Sequence, residues 1–414
     1  MFKILGRVEE CLNLVMRSVQ NIRIGSVQVR TSEALHRNCA QDIVSTLDVP
    51  NYNRSAVDGY AVISNDVLSS SISNPIRLKI VQELFADSSP NKAEPLFNGS
   101  ASVVYTGAPI PSNSDAIVML EDTKMDEPSF VSVHRPVAPF QNVSRKGEDF
   151  EKGSVVIEKG TLIRPWHIAA LLSVGQRTIN VQKKIRVGVL STGNELKDLN
   201  QKSKKLVTNT TKPLLVSLID EEFCRAVDVG TVQDQMEAIR IRILEALQNC
   251  DILITTGGTS IGRTDLVSDS ICSIEGSSIL FHGVKMRPGR PTGVALVRNK
   301  PVFMLSGYPV AAFTGFEVFV KPVLNHMKGS KPYLQPIVRA SLTRRLAKPV
   351  GVKAFVRVNV RRENDGRYSV EPMRLTGSGL LSTLTRSNGF LVMDEELEGH
   401  DEGENVDIVL FQPL

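Results

Sequence analysis

The sequence predicts a multidomain fold that combines α/β and β structure around a central, doubly wound, mostly parallel sheet. Two patterns predict it. Between Lys183 and Met327, apolar runs rich in β-branched residues alternate with segments of helical periodicity, as in strands joined by crossover helices. On both sides of that region, short β-rich runs are separated by Ser, Asn, Pro and Gly. The chain of 414 residues is long enough for several hydrophobic cores.

The N-terminal part begins with one clear helix. Apolar residues recur at helical spacing from Val8 to Val19, which predicts an amphipathic helix. The pattern repeats more loosely from Thr31 to Leu47, so we expect a second helix that Pro50 ends. A third helix begins at Pro165, which suits the first helical position. Between the second and third helices, short strands are predicted at Arg77–Val81, Ser102–Tyr105, Ala116–Leu120 and Phe130–His134.

The central region supplies the predicted sheet and the helices on both of its faces. Its strands are predicted at Ile185–Leu190, Ala226–Val232, Ile252–Thr256, Ile279–Phe281, Val294–Val297 and Val302–Leu305. Its helices are predicted after Pro213, around Met236–Leu247, around Leu266–Ile271, and from Pro309 to Met327.

The last part of the chain returns to β structure. Residues Lys353–Val360 alternate between apolar and polar, and Asn364-Asp365-Gly366 predicts a hairpin turn into Tyr368–Glu371. Further strands are predicted at Phe390–Met393 and Val406–Phe411. We therefore expect a separate C-terminal β domain.

Composition narrows the class of protein. The net charge is only +5, with no basic stripe and no arginine-rich tail, so a role in nucleic-acid binding is not indicated. The five cysteines are scattered and form no C-x-x-C pair, which argues against a zinc cluster or a disulfide framework. We find no signal peptide and no run of 18 apolar residues, so a cytoplasmic protein without a membrane span is expected.

One stretch, Asp251–Asp265, combines a buried strand, a glycine turn and the start of a helix. Such a turn presents backbone N–H groups at the carboxyl edge of a sheet, which suits a phosphate or another anion. A plain βα turn would have the same form. Similar turns follow two other predicted strands. The candidate binding residues in the three turns are Thr192, Gly193, Gly257, Gly258, Thr259, Ser260, Gly262, Ser306, Gly307 and Pro309.

Three acids also follow predicted strands. Glu195, Asp234 and Asp265 stand at positions where carboxylates can hold Mg²⁺ together with phosphate oxygens and water. For any one acid alone, a helix cap or a position in the first turn of a helix is the favoured interpretation. We favour the Mg²⁺-linked interpretation, because three such acids meet at one sheet edge.

The segment Arg287-Pro-Gly-Arg-Pro291 places two cations on a stiff turn. A fixed spacing between two guanidinium groups suits an oxyanion or a phosphate, although this motif alone is more simply interpreted as an exposed basic turn. No nucleophile elbow, Walker A loop or G-x-G-x-x-G motif is present, so the chemistry of those motifs is not indicated.

Taken in order, these segments resemble the MoeA family of molybdopterin molybdenumtransferases, which also includes the E domain of gephyrin. The resemblance runs from about residue 8 to the C-terminus. The matching segments are Ser55–Ala61, Tyr105–Pro111, Asp115–Met119 with Glu121-Asp122, Gly147–Asp149, Ser191–Leu196, Gly257–Asp265, Arg287–Pro291, Leu305–Pro309 and Gly377–Gly379.

The resemblance implies a homodimer of four-domain subunits. The implied domains are a discontinuous N-terminal domain (1–48 and 142–182), an inserted β-rich domain (49–141), a MogA-like molybdopterin-binding α/β domain (183–329) and a β-barrel-like domain (330–414). It also implies the reaction, which is insertion of molybdate, or tungstate, into adenylylated molybdopterin with Mg²⁺-dependent release of AMP. A molybdopterin adenylyltransferase and apo-molybdoenzymes are the implied partners.

By family motif, the implied catalytic residues are Asp58, Thr106, Glu195, Asp234 and Asp265, and the last three are the implied metal ligands. Arg287, Arg290, Ser306 and Pro309 match oxyanion-binding segments. The family's dimer implies that Asp58 and Thr106 reach the active site of the partner subunit. The sequence departs from the family at the Pro-Gly turn, where two arginines replace the usual lysines. The alternative functions are adenylylation of molybdopterin and a non-enzymatic, gephyrin-like scaffold.

Overall fold

The computed structural model describes residues 5–197, 207–258, 265–331, 335–374, 377–412 and 414. They form two compact units, one of residues 28–181 and one of residues 1–27 with 182–414. None of the described helices combines the length and the apolar character that crossing a lipid bilayer requires.

Helix α1 (Val8–Val19) confirms the first predicted helix. Its buried residues are Val8, Cys11, Val15 and Val19, which follow the predicted spacing along one face. That face packs into the same hydrophobic core as the helices that follow the central strands. The first helix of the chain therefore helps to cover the central sheet.

The predicted helix over Thr31–Leu47 is wrong. Only a short 3₁₀ turn, Thr31–Glu33, forms there, and His36 adopts a left-handed conformation with φ of 59° that ends helical geometry. Ala34, Cys39 and Ile43 are nevertheless buried in one core. These residues lie in isolated bridges and a short strand. The apolar spacing therefore marked buried residues but not a helix.

The unit of residues 28–181 is built mainly on a six-stranded sheet. The strands of this part of the chain are β1 (Ser26–Arg30), β2 (Ile43–Val44), β3 (Arg54–Ser55), β4 (Gly59–Val62), β5 (Ile76–Leu84), β6 (Ser100–Val104), β7 (Ala116–Met119), β8 (Thr123–Glu127), β9 (Phe130–Val133), β10 (Val143–Ser144), β11 (Val155–Ile157) and β12 (Thr178–Gln182). The order in the six-stranded sheet is β7-β4-β6-β5-β9-β8. Helix α2 begins at Pro165, as predicted, and ends at Ser173.

The central α/β domain confirms the predicted alternation. Its strands are β13 (Arg186–Thr192), β14 (Leu196–Lys197), β15 (Val207–Thr208), β16 (Arg225–Val232), β17 (Ile252–Thr256), β18 (Ser277–His282), β19 (Met286–Arg287), β20 (Gly293–Val297) and β21 (Lys300–Leu305). Its helices are α3 (Thr211–Glu221), α4 (Met236–Asn249), α5 (Leu266–Cys272), α6 (Pro309–Gly315), a π-helical segment (Phe316–Val320) and α7 (Lys321–Met327).

The main sheet of this domain has the order β16-β13-β17-β21-β20-β18. The first four strands are parallel, whereas β20 and β18 add antiparallel pairs. One face packs against α1, α3, α6 and α7, and the other face packs against α4 and α5. The predicted doubly wound, mostly parallel sheet is therefore confirmed.

The C-terminal part of the chain forms a second β structure. Its elements are β22 (Ile337–Leu342), β23 (Leu346–Ala347), β24 (Lys353–Arg362), β25 (Tyr368–Pro372), α8 (Ser382–Thr385), β26 (Gly389–Met393), β27 (Gly399–His400) and β28 (Asn405–Leu410). Five strands pair in the order β24-β25-β22-β28-β26, and the two end strands, β24 and β26, also pair with each other, so the sheet closes into a barrel. Strand β19 of the α/β domain pairs with β24 and extends this sheet.

Candidate active site

Neighbouring strands of the main sheet end together at its carboxyl edge. Ser191 of β13 pairs with Thr256 of β17, which in turn pairs with the last residue of β21. On the antiparallel side, Gly293 at the start of β20 pairs with His282 at the end of β18. The three glycine turns therefore lie along one edge with the segment before β20, where open α/β sheets bind ligands.

The turn after β17 packs directly on the turn after β13. Gly257 has a φ of 84°, and a Cβ atom there would lie 2.2 Å from the Thr192 carbonyl oxygen. Gly258 has a φ of 61° and faces the Thr192 hydroxyl in the same way. Only glycine allows this backbone conformation and this approach without strain. The predicted residues Thr259, Ser260 and Gly262 lie outside the described residues.

The turn after β13 carries Glu195 and contacts Asp234. The Asn194 N–H donates to Asp234 Oδ2 at 3.2 Å, and the Asp234 N–H donates to Asn194 Oδ1 at 3.1 Å. Glu195 is exposed, and its carboxylate lies over Gly193, where a Cβ atom would come within 2.9 Å of both oxygens. The structure thus brings Glu195 and Asp234 to adjoining strand ends.

Asp234 has the feature expected of an acid that meets a cation. Its Oδ1 atom is buried and has no hydrogen-bond partner among the described residues. The described residues contain no group of three or more His, Cys, Asp or Glu side chains close enough to hold a metal ion. Because Mg²⁺ prefers one or two protein carboxylates with phosphate oxygens and water, the donor set fits an ion that binds with a phosphate. The metal assignment of Glu195, Asp234 and Asp265 stays a prediction.

Asp265 caps helix α5, as in the alternative interpretation, and its role as a Mg²⁺-linked acid stays a prediction. Its Oδ1 atom accepts a hydrogen bond from the Ser268 N–H at 3.1 Å at the start of α5. Its Oδ2 atom lies 2.9 Å from Nε2 of His282. Capping uses one lone pair of one oxygen, so it leaves acceptor capacity for a further ligand.

The arginine turn lies at the same sheet edge. The Val284 N–H donates to the Arg290 carbonyl at 2.9 Å, and the Thr292 N–H donates to the Gly289 carbonyl at 2.9 Å, so the turn is held from within. Arg287 is half-buried and Arg290 is exposed. Neither guanidinium forms an ion pair with an acid in the described part of the chain. Both cations are therefore available to an anionic ligand.

The turn after β21 offers fewer free N–H groups than predicted. The Tyr308 N–H faces Ser306 Oγ at 3.2 Å, and the Val310 N–H donates to the Ser378 carbonyl at 3.0 Å. The Gly307 carbonyl accepts from Thr211 Oγ1 at 2.6 Å. Pro309 begins α6. The local fold thus already uses the N–H groups of Tyr308 and Val310, and Ser306 Oγ accepts one of these hydrogen bonds.

Asp58 and Thr106 lie in the unit of residues 28–181 and form one cluster there. Asp58 Oδ1 accepts hydrogen bonds from the Thr106 backbone N–H at 2.7 Å and from Thr106 Oγ1 at 2.8 Å. Both residues are exposed. The two hydrogen bonds, the backbone one first, lower the pKa of the Asp58 carboxyl. The site presents a fixed, ionised carboxylate at the protein surface.

Two residues that support the site, Asn209 and His282, were not predicted from the sequence. Asn209 is buried, and its Nδ2 atom donates to Ser191 Oγ at 2.9 Å, beneath the turn after β13. His282 is the second, through its contact with Asp265. The available signals were a polar residue just before a predicted helix and a histidine at the end of a predicted strand, and neither signal is specific.

Comparison with known families agrees with this arrangement. Residues 7–175 match the MoeA N-terminal region (domain I and II). Residues 188–326 match a probable molybdopterin binding domain, and residues 339–411 match the MoeA C-terminal region (domain IV).

Individual relatives match over nearly the whole chain. A putative molybdopterin biosynthesis protein of Methanocaldococcus jannaschii is 36% identical over 395 residues, which cover 93% of this chain and 92% of the relative. A molybdopterin molybdenumtransferase of Staphylococcus aureus is 32% identical over 406 residues, which cover 98% of this chain and 95% of that protein.

The fold agrees with a solved structure as well. The crystal structure of a molybdopterin biosynthesis MoeA protein from Pyrococcus horikoshii matches with a TM-score of 0.84 and 33% identity, covering 99% of this chain and 100% of that one. The catalytic and ligand roles carried over from the motifs stay predictions. From these matches and the arrangement of the strand ends, the chain belongs to the MoeA family of molybdopterin molybdenumtransferases, the transferases of molybdenum cofactor biosynthesis.

Proposed function

We propose that the chain inserts molybdate, or tungstate, into adenylylated molybdopterin and releases AMP. The observation that carries the proposal is the convergence, at one sheet edge, of three glycine turns, acids at two strand ends and two arginines that form no ion pair with a described acid. Such a set suits a substrate that is both a phosphate ester and a ligand for a metal oxyanion.

The proposed chemistry needs no protein ligand for molybdenum. The two thiol groups of molybdopterin replace one oxygen of the oxyanion, which leaves as water with their two protons. A second water cleaves the bond between the two phosphates, giving AMP and the phosphate of the loaded pterin. The protein must therefore bind anions, orient the two reacting groups and place carboxylates beside them.

Each group of residues has a task in this proposal. The backbone N–H groups of the glycine turns bind the phosphates. Arg287 and Arg290 bind the oxyanion, since each presents a planar set of donors. Glu195, Asp234 and Asp265 would hold Mg²⁺, which would offset the negative charge of the phosphates. Asp58, oriented by Thr106, would come from the partner subunit of a homodimer and accept a proton.

The direct test is incubation of the protein with adenylylated molybdopterin, Mg²⁺ and molybdate, with a parallel reaction that contains tungstate. We expect AMP release that requires an oxyanion and a pterin product that activates an apo-molybdoenzyme. Absence of both products would contradict the proposal. Formation of adenylylated molybdopterin from ATP and molybdopterin would instead identify an adenylyltransferase.

A further inference from the structure

His282 packs against a predicted catalytic acid inside the α/β domain. It is the last residue of β18, and its side chain is only 6% exposed. Its Nε2 atom lies 2.9 Å from Asp265 Oδ2, and the Asp265 side chain is 11% exposed. This contact is close, but it does not have the geometry of a hydrogen bond.

The contact completes the orientation of the Asp265 carboxylate. Oδ1 is already fixed by the Ser268 N–H at the start of α5. An aspartate that only caps this helix would need no second partner, because the cap uses one oxygen. His282 lies against the other oxygen, so rotation of the carboxylate about its Cβ–Cγ bond would disturb the Ser268 hydrogen bond and the contact with Nε2.

Space for the imidazole is built into the neighbouring strand. Gly293 lies directly opposite His282 in the β18–β20 pair. A Cβ atom on Gly293 would come 2.7 Å from Cδ2 of the His282 ring. Any residue other than glycine at 293 would therefore push the ring from its place beside Asp265.

His282 also joins two parts of the proposed site. Asp265 ends the segment that follows the glycine turn of β17, while His282 immediately precedes the segment that leads to Arg287. That second segment is fixed to β20, since the Gly283 N–H donates to the Thr292 carbonyl at 2.9 Å. The contact thus connects the acid on one segment with the arginine turn on the other.

We propose that His282 is a positioning residue for metal insertion, which fixes the direction of the Asp265 carboxylate. It acts through Asp265 and does not itself touch the substrate. The inference rests on the proposed function only in the role given to Asp265. Residues that orient a functional carboxylate or ligand from behind typically change affinity or rate about 10- to 100-fold when removed.

A double-mutant cycle tests the inference. The variants are His282→Leu, His282→Gln and Asp265→Asn, together with both His282 changes in the Asp265→Asn background. We expect His282→Leu to lower kcat for AMP release about 10-fold or more, and to change KM less. His282→Gln keeps an N–H donor and should retain most of the wild-type rate. In the Asp265→Asn background, neither change should lower the rate further.

The same five variants are titrated with adenylylated molybdopterin, with pterin fluorescence as the signal. This binding measurement can be made even if the wild-type protein inserts no metal. Failure of metal insertion would contradict the proposed function, whereas the role of His282 would still be tested by binding. We expect His282→Leu to weaken binding in the wild-type background and to have no effect in the Asp265→Asn background. Equal effects in both backgrounds would overturn the role of His282.

A matched control separates positioning from loss of a packed histidine. His326 lies in α7, with Nε2 3.3 Å from the Gln20 carbonyl oxygen, and has no part in the proposed site. We expect His326→Leu to keep wild-type kinetics and affinity. The inference is wrong if His282→Leu has the same kinetics and pterin affinity as His326→Leu. It is also wrong if His282→Gln is as impaired as His282→Leu.

Discussion

The Asp58 carboxylate owes its low pKa to one neighbour, Thr106. The backbone N–H and the hydroxyl of Thr106 both donate to Asp58 Oδ1, and they stabilise the charged form of the acid. A lowered pKa keeps Asp58 ionised further into the acid range. If Asp58 takes part in the reaction as a base, the acid limb of the rate profile reports this pKa.

We therefore predict that Thr106→Ala moves the acid limb of kcat/KM to higher pH, toward the ordinary aspartate range. The hydroxyl donor is lost while the backbone donor stays, so the pKa should rise without reaching the value of a free aspartate. The measurement is the pH dependence of AMP release. Thr106→Ser keeps a hydroxyl and should retain the wild-type profile. An unchanged profile in Thr106→Ala would show that Asp58 does not control the rate.

Gly257 permits a different kind of test, because its conformation and its packing are separable. We predict that Gly257→Ala lowers the free energy of unfolding by about 3 kcal/mol, since a left-handed residue costs about 1 kcal/mol and overpacking against Thr192 adds about 2 kcal/mol. Gly230 in β16 has a φ of 94° and no atom within 4 Å of a Cβ position. Gly230→Ala should therefore lose only the roughly 1 kcal/mol of the left-handed conformation.

Urea denaturation of both glycine variants and the wild-type protein measures the difference. We also expect Gly257→Ala to lose most of its AMP release, because the turn would have to move away from Thr192. Equal stability losses in Gly257→Ala and Gly230→Ala would contradict the close approach of the two turns.

Individual residues were predicted from the sequence with uneven success. The glycines and arginines of the turns were found, because the order of residue types specifies a turn directly. The pairing of Asp58 with Thr106 and that of His282 with Asp265 were not found. Each pair joins residues that are distant in the sequence, and nothing in the spacing shows that they meet.

At the scale of elements, the two main errors have physical causes. The sequence predicted one helix from Pro309 to Met327, but residues Phe316–Val320 form a π-helical segment. Pro322, the second residue after this segment, lacks an N–H group, so the regular hydrogen bonding of the preceding turn cannot continue. Over Thr31–Leu47, the apolar spacing did mark buried residues, but isolated bridges and the short strand β2 bury them instead of a helix.

The arginine turn is the element whose function is easiest to isolate. Its backbone is held by its own hydrogen bonds, so shortening an arginine should leave the turn in place. We predict that Arg290→Ala raises the molybdate concentration for half-maximal AMP release about 10-fold, because one charge-assisted contact to the oxyanion is lost. The measurement is a molybdate titration at saturating pterin.

Two controls accompany the molybdate titration. Arg290→Lys keeps the charge and should lie between Arg290→Ala and the wild-type protein. Arg242→Ala removes an exposed arginine of α4 that is paired with Glu245, and it should not change the titration. If Arg290→Ala changes the pterin affinity but not the molybdate requirement, the turn binds the pterin phosphate instead.

For the whole molecule, the sequence predicted the α/β class and a C-terminal β domain, and both are confirmed. The residue pattern predicted strands within the C-terminal domain, but only the family resemblance implied that these strands close into a barrel. Closure depends on the pairing of β24 with β26, which joins two strands that lie far apart in the sequence and carry no mutual signal. The predicted domain boundaries, the dimer and the metal site stay predictions.

The proposed two-subunit active site makes a prediction that a single-subunit site does not. If Asp58 of one subunit serves the site that contains Asp265 of the other, then Asp58→Asn and Asp265→Asn homodimers are both inactive. After subunit exchange of equal amounts, about half of the dimers are mixed, and each mixed dimer has one site with both changes and one site with neither. AMP release should therefore recover to about one quarter of the wild-type rate.

The control for the exchange is Asp115→Asn. Asp115 lies in the same unit as Asp58, and its two oxygens accept from the Ser64 N–H at 2.6 Å and from the Ser64 hydroxyl at 2.7 Å. This variant should lose stability, because a buried hydrogen-bonded pair is disturbed, but the folded protein should keep its activity.

If Asp58 and Asp265 served the site of the same subunit, every mixed dimer would contain two damaged sites. Mixing would then restore no activity, and Asp58 would not cross between subunits.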